Sequence, residues 1–172
     1  SDTSTRTLTL DSGNGDVRID GSVGNSAPLN NINITSDQLT AGAIKLNGAL
    51  TATLGGSSTI SGVIANGAST ANLVKAGNGT LTLSGANTYT GTTAINAGDL
   101  TVSGSLHDST AVSIASGADY NVNASDTVAS IEGAGNIVLA SSQTLTAGDG
   151  NDKTLSGVIS GAGNYIKAGS GT

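Results

Sequence analysis

The chain contains no Cys, Met, Trp or Phe, and its three aromatic residues are Tyr89, Tyr120 and Tyr165. Without cysteine there are no disulfides and no thiolate metal sites. Without large aromatics a wide globular centre is hard to fill, whereas a core a few side chains across needs none. Leu, Ile and Val make up 37 of 172 residues, just above the share at which disorder becomes the default. Charge is sparse too: six Lys and Arg against twelve Asp and Glu, a net charge of −6. Phosphate recognition needs a clustered basic patch, so nucleic acid is not an expected partner. An anionic membrane surface is disfavoured on the same ground. No stretch approaches about 18 consecutive apolar residues, so no membrane insertion by this segment is expected. The opening Ser1-Asp2-Thr3 has no basic region leading into an apolar one, and no signal peptide is expected there.

What is present is alternation. Leu8-Thr9-Leu10, Val17-Arg18-Ile19, Ile32-Asn33-Ile34, Ile44-Lys45-Leu46, Leu81-Thr82-Leu83, Leu100-Thr101-Val102, Val112-Ser113-Ile114 and Tyr120-Asn121-Val122 each set two apolar side chains on one side of a polar one. That is the period of a half-buried strand. No window carries the i, i+3, i+4, i+7 spacing of a helix. Between these stretches stand Asn14-Gly15, Asn47-Gly48, Asn66-Gly67 and Asn78-Gly79, pairs that turn the chain tightly. Antiparallel hairpins would use the same ingredients.

Self-similarity decides in favour of a solenoid. Gly79, Gly98, Gly117 and Gly135 are each followed by an apolar pair two apart, namely Leu81/Leu83, Leu100/Val102, Tyr120/Val122 and Ile137/Leu139. The spacing of roughly 18–20 residues predicts one strand position returning once per coil. A longer repeat overlies it. Ser61-Gly62-Val63-Ile64 returns as Ser156-Gly157-Val158-Ile159, and Lys75-Ala76-Gly77-Asn78-Gly79-Thr80 as Lys167-Ala168-Gly169-Ser170-Gly171-Thr172. The expected fold is an all-β, right-handed parallel β-helix of about nine coils. At the usual inter-strand spacing such a rod is roughly 40 Å long. Residues 1–172 are expected to form a single β-helix fragment of a tandem array. Within it 1–55 are less regular coils, 56–153 are one long unit of about 92–95 residues, and 154–172 begin the next.

The stretch from Gly79 through Asn87-Thr88-Tyr89-Thr90-Gly91 to Leu100 closely resembles the passenger-associated transport repeat of autotransporter proteins, with Ser61–Ile64 and Lys75-Ala76-Gly77 as its lead-in. The resemblance is specific over about 40 residues and returns near residue 172. Residues 1–55 are similar only loosely, to strands of giant repetitive surface adhesins. The resemblance implies a parallel β-helix exported across the outer membrane of a Gram-negative bacterium and held at the cell surface, in a family without shared catalytic residues.

Several residues invite a chemical reading, and each has a plainer one. His107-Asp108 beside Ser105 and Ser109 is a surface turn before it is a triad, because neighbours on a strand face opposite ways. Asp149-Gly150-Asn151-Asp152 and Asp11-to-Asp16 contain calcium-type ligands, but each occurs once, where calcium β-rolls repeat their motif. Both read as turns. Asp16, Arg18 and Asp20 read as an exposed ion pair rather than a polysaccharide-cleaving site, and Glu132 is the sole glutamate. Thr-x-Thr pairs at Thr7/Thr9, Thr51/Thr53, Thr80/Thr82, Thr88/Thr90 and Thr144/Thr146 would order water or bind ice only in unbroken columns, and the columns are expected to be mixed. Tyr89 is expected to pack at a turn, Tyr120 in the core, and Tyr165 where Leu73 stands in the long repeat.

The resulting expectation is a non-enzymatic structural or adhesive segment, a stalk or filament of a secreted surface protein in adhesion, aggregation or biofilm formation. No catalytic, cofactor-binding or metal residues are assigned. Expected partners are a second copy, end to end or side by side, and a host-cell or polysaccharide surface. The alternative is a polysaccharide-binding or polysaccharide-cleaving β-helix, which would show a cleft lined by carboxylates or aromatics.

Overall fold

A computed structural model describes residues 6–172; the reading of Ser1–Thr3 lies outside them. The alternating stretches are strands, and every strand pairing within the sheets is parallel. The chain winds round three faces. The first face holds seven strands, Thr7–Asp11, Asn31–Ser36, Ala49–Leu54, Asn72–Ala76, Thr93–Ile95, Ala111–Ile114 and Ser130–Gly133. The second holds eight, Val17–Ile19, Leu39–Ala41, Ser58–Ile60, Thr80–Leu83, Asp99–Val102, Asp119–Val122, Asn136–Leu139 and Ile159–Gly161. The third is interrupted. It pairs Ile44–Leu46 with Ile64–Asn66, passes two coils with little strand, and resumes as Asp126–Val128, Thr144–Ala147 and Asn164–Lys167.

The glycine rhythm marks a true column. On the second face Leu81, Leu100, Tyr120 and Ile137 stack in register, with Leu83, Val102, Val122 and Leu139 beside them. All eight are buried. Each buried aliphatic is worth about 1.5–3 kcal/mol over exposure, and the columns share that burial along the axis rather than about a point. Glycine is needed at the corner for two reasons. At Gly98 φ is +63°, which side-chain-bearing residues resist. At Gly79 a Cβ would stand 2.2 Å from the Gly56 carbonyl oxygen of the previous coil.

Eight strands on the longest face make eight turns, not nine. The difference lies in the connections. Tyr120 meets Ile137 after 17 residues, whereas Thr7 meets Asn31 after 24. Strand positions recur by stacking, but corners loop out freely, so coil length varies beyond the 18–20 expected. Seven inter-strand steps give a rod of about 35 Å.

The long repeat does not return to the same face. Ile64 pairs with Ile44 on the third face, while Ile159 pairs with Ile137 on the second. Leu73 pairs with Thr93 on the first face, while Tyr165 pairs with Leu145 on the third. The same corner turn therefore serves two different corners. Tyr165 is only partly buried, and Val158, Ile159 and Ile166 of the last coil are 63%, 41% and 50% exposed.

Candidate functional site

The most chemically distinctive region is the corner following Ser61, where buried polar groups replace the interrupted third-face ladder. Asn87 is 3% exposed. Its Oδ1 accepts the Ile64 N–H at 3.0 Å, and its Nδ2 donates to Gly85 O and Ser105 O, both at 2.9 Å. One carboxamide thus ties three consecutive coils where the backbone offers only an isolated bridge and a few hydrogen bonds rather than a continuous ladder. Asn66 ties the next position, donating to Thr90 Oγ1 at 2.9 Å and accepting the Thr90 N–H at 3.2 Å. Tyr89 fills the core, its hydroxyl 2.5 Å from Thr93 Oγ1, and burial raises its pKa. This explains the Asn-Thr-Tyr-Thr-Gly stretch: its polar members bridge coils and its tyrosine packs.

Lys75 was not singled out by the sequence reading, yet it is fully buried. It lies two residues after the inward Leu73, so strand parity alone points it inward. Its ammonium donates to Ala76 O at 3.0 Å, Gly77 O at 2.8 Å and Ala97 O at 3.1 Å. The lysine thus caps carbonyls of its own turn and of the next coil's turn. Burial pulls its pKa down to about 8 against the opposing Asp99 charge. Lys167, at the matching place in the long repeat, is exposed and donates only within its own turn, to Ala168 O and Gly171 O.

Asp126 likewise points inward by parity with Val128. Its carboxylate accepts the Leu106 N–H at 2.9 Å and the Thr127 N–H at 3.0 Å, replacing the ladder one coil on. Burial pushes its pKa up to about 6; the two N–H donors oppose this and Asp108 adds to it. Tyr120, buried as expected, has no hydrogen-bond partner for its hydroxyl among the described residues, and burial with the nearby Asp126 raises its pKa well above the usual range.

The remaining sequence candidates sit in turns and exposed ion pairs. His107 sits in a turn, its Nδ1 accepting the Ser109 N–H at 3.1 Å and its carbonyl accepting the Thr110 N–H at 2.8 Å. Asp11 accepts from Gly13 N and Asp149 from Asn151 N, so each carboxylate closes a local turn. Arg18 and Asp20 form an exposed ion pair at 2.5 Å, and Glu132 pairs with Lys153 at 3.0 Å. Among the described residues no three of His, Asp and Glu gather as a metal site would need. Outward columns are mixed. The first face reads Thr9, Asn33, Thr51, Val74, Ala94, Ser113, Glu132. The second carries four successive threonines, Thr40, Thr59, Thr82 and Thr101, before Asn121 and Val138. Asp99 stacks directly on Asp119, a like-charge neighbour pair that would repel. Thr80 Oγ1 and Asn136 Nδ2 each donate to one of them, at 3.1 and 3.0 Å.

A cavity of about 460 Å³ opens beside Ile131, Asp149, Lys153, Tyr165 and Lys167. Its charged groups are already engaged: Asp149 with Asn151, Lys153 with Glu132, and Lys167 with backbone carbonyls.

Comparison with known proteins meets this geometry at the same corner. Residues 73–102 match the passenger-associated-transport-repeat, the segment running from the Lys75 strand through Asn87 and Tyr89 to the Leu100 column. Over 109 residues, 58% of the chain, it is 38% identical to the adhesin BmaC autotransporter of Brucella suis biovar 1 (strain 1330). The chain spans 3% of that relative's length. No solved structure matches it. A parallel solenoid whose interrupted face carries these residues is thus similar over 73–102 to the passenger-associated-transport-repeat, and over 109 residues to an autotransporter adhesin.

Proposed function

We propose that this segment is a stiff, non-enzymatic rod within a secreted protein displayed on a Gram-negative cell surface, serving adhesion, aggregation or biofilm formation by holding binding surface away from the cell. The observation that carries the reading is the unbroken parallel stack along the second face from Val17 to Gly161, combined with the passenger-type repeat it contains. Parallel stacking gives a rod whose stiffness needs no partner and whose length grows with each coil. Beads coated with the purified segment, compared with beads carrying an unrelated β-solenoid, test adhesion directly. Binding to host cells, abiotic surfaces or each other above that control is the expected result. Equal binding assigns the segment a spacer role and removes adhesion from it.

A second copy is a further partner of this reading, lying side by side along the outward threonine column of the second face, Thr40, Thr59, Thr82 and Thr101. Light scattering that reports strict monomers at about millimolar concentration removes this partner. The polysaccharide reading is supported by the cavity beside Tyr165, where a ring could stack against a sugar. Cleavage needs a pair of free carboxylates, and Asp149 beside that cavity is already engaged by Asn151. A glycan screen against wild type and Tyr165→Ala distinguishes binding from none.

A further inference from the structure

The aliphatic columns that hold the solenoid together cannot tell one coil from another. Leu81/Leu83 and Leu100/Val102 are interchangeable as inward pairs, and a slip by two residues keeps every inward side chain inward. Something polar must therefore choose the register, and one arrangement recurs at three successive steps. Asn31 Oδ1 accepts the N–H of Ala49 at 2.9 Å, the residue after Gly48. Asn47 Oδ1 accepts the N–H of Ala68 at 2.6 Å, the residue after Gly67, and that of Ser69 at 3.3 Å. Asn72 Oδ1 accepts both the N–H and the hydroxyl of Thr92, the residue after Gly91, at 2.9 and 3.1 Å. A Cβ on Gly48, Gly67 or Gly91 would stand 2.6, 2.0 or 2.3 Å from the asparagine oxygen concerned. The carboxamide of one coil occupies the space a side chain of the next would need.

We propose that these Asn–Gly pairs are the register determinants of the stack. Each asparagine selects, from the chain that follows, a glycine succeeded by a free N–H. Both halves are required. A side chain in place of the glycine meets the carboxamide, and a slipped coil leaves the amide without its acceptor. The pairs sit beside strand starts, just before Ile32 and Leu73 in two cases, so each aligns the inward residues that follow. Where inward aliphatic pairs are interchangeable from coil to coil, this supplies the order that hydrophobic burial does not.

The Asn47–Gly67 pair is the cleanest test, because the next nearest atom to a Gly67 Cβ is a side-chain carbon, Pro28 Cβ at 2.8 Å. Gly67→Ala is expected to lower Tm in the otherwise native chain and to cost less in an Asn47→Ala background. The difference should be at least about 2–4 °C, the scale of one hydrogen bond in a chain this long. Asn47→Asp keeps the acceptor oxygen and should hold Tm closer to the native value than Asn47→Ala does. Register is read by paired cysteines after refolding. Thr51→Cys with Val74→Cys reports the native alignment. Thr53→Cys with Val74→Cys reports a slip of two, and its cross-linking should rise in Asn47→Ala. Equal costs of Gly67→Ala in both backgrounds overturn the pairing, and an unchanged slipped cross-link overturns its role in register.

Discussion

Acidification should stabilise this protein over a defined window, and Asp126 is the reason. Its carboxyl is 8% exposed and pushed up to about 6 from the ordinary aspartate value of 3.8. A carboxyl that binds its proton more tightly when folded adds stability that is complete below the unfolded pKa and is lost as pH rises through the folded one. Between pH 7 and pH 5 the linkage amounts to about 1 kcal/mol, or about 2–4 °C in Tm for a chain of this size. The exposed Asp149 and Asp152 act in the opposite sense, since donors from Asn151 and Thr172 hold their pKa values down. The informative quantity is therefore the difference between wild type and Asp126→Asn. The amide retains an acceptor for the Leu106 N–H but does not titrate. Urea unfolding followed by circular dichroism at pH 7, 6 and 5 should show the native chain gaining on the variant as pH falls. Parallel pH dependences for the two chains would refute the reasoning and place the carboxyl in contact with water.

Lys75→Met keeps the buried stem but leaves the carbonyls of Ala76, Gly77 and Ala97 without their donor; a loss of about 2–3 kcal/mol is expected in urea unfolding. Because the folded pKa of Lys75 lies near 8, below the ordinary lysine value of 10.5, stability of the native chain should rise as pH climbs between those values, and Lys75→Met should abolish that rise. Asn87→Ala removes three buried hydrogen bonds at the interrupted face and should cost about 2–4 kcal/mol, with hydrogen exchange accelerating first at Ile64. Gly98→Ala combines a φ of +63° with a 2.4 Å approach to Gly79 O and should cost more than about 2 kcal/mol or prevent folding, as thermal denaturation would report.

The strands were legible where alternation was overt. Each of the eight apolar-polar-apolar stretches lies on a strand, because parity is local and needs no knowledge of the rest of the chain. Strands with weak inward residues were harder to see. Ala49–Leu54 buries Leu50, Ala52 and Leu54, Ser58–Ile60 buries Ser58, and Asp126–Val128 buries a carboxylate. Such residues read as loop until a neighbouring coil supplies the partner that makes their burial tolerable. Ser58, for example, accepts the Leu39 N–H at 2.8 Å from the coil before it.

From sequence alone came the period-two strands, the return of one inward position at each glycine corner, and hence parallel stacking rather than hairpins. All of these rest on short-range spacing repeated along the chain. The tertiary structure alone decided which face each strand joins, that the long repeat reappears on another face, and that Lys75, Asn87 and Asp126 answer to backbone groups of other coils. Those outcomes depend on partners about 20 residues away in sequence, and which partner is met is decided by the stacking of neighbouring coils, not by local preference.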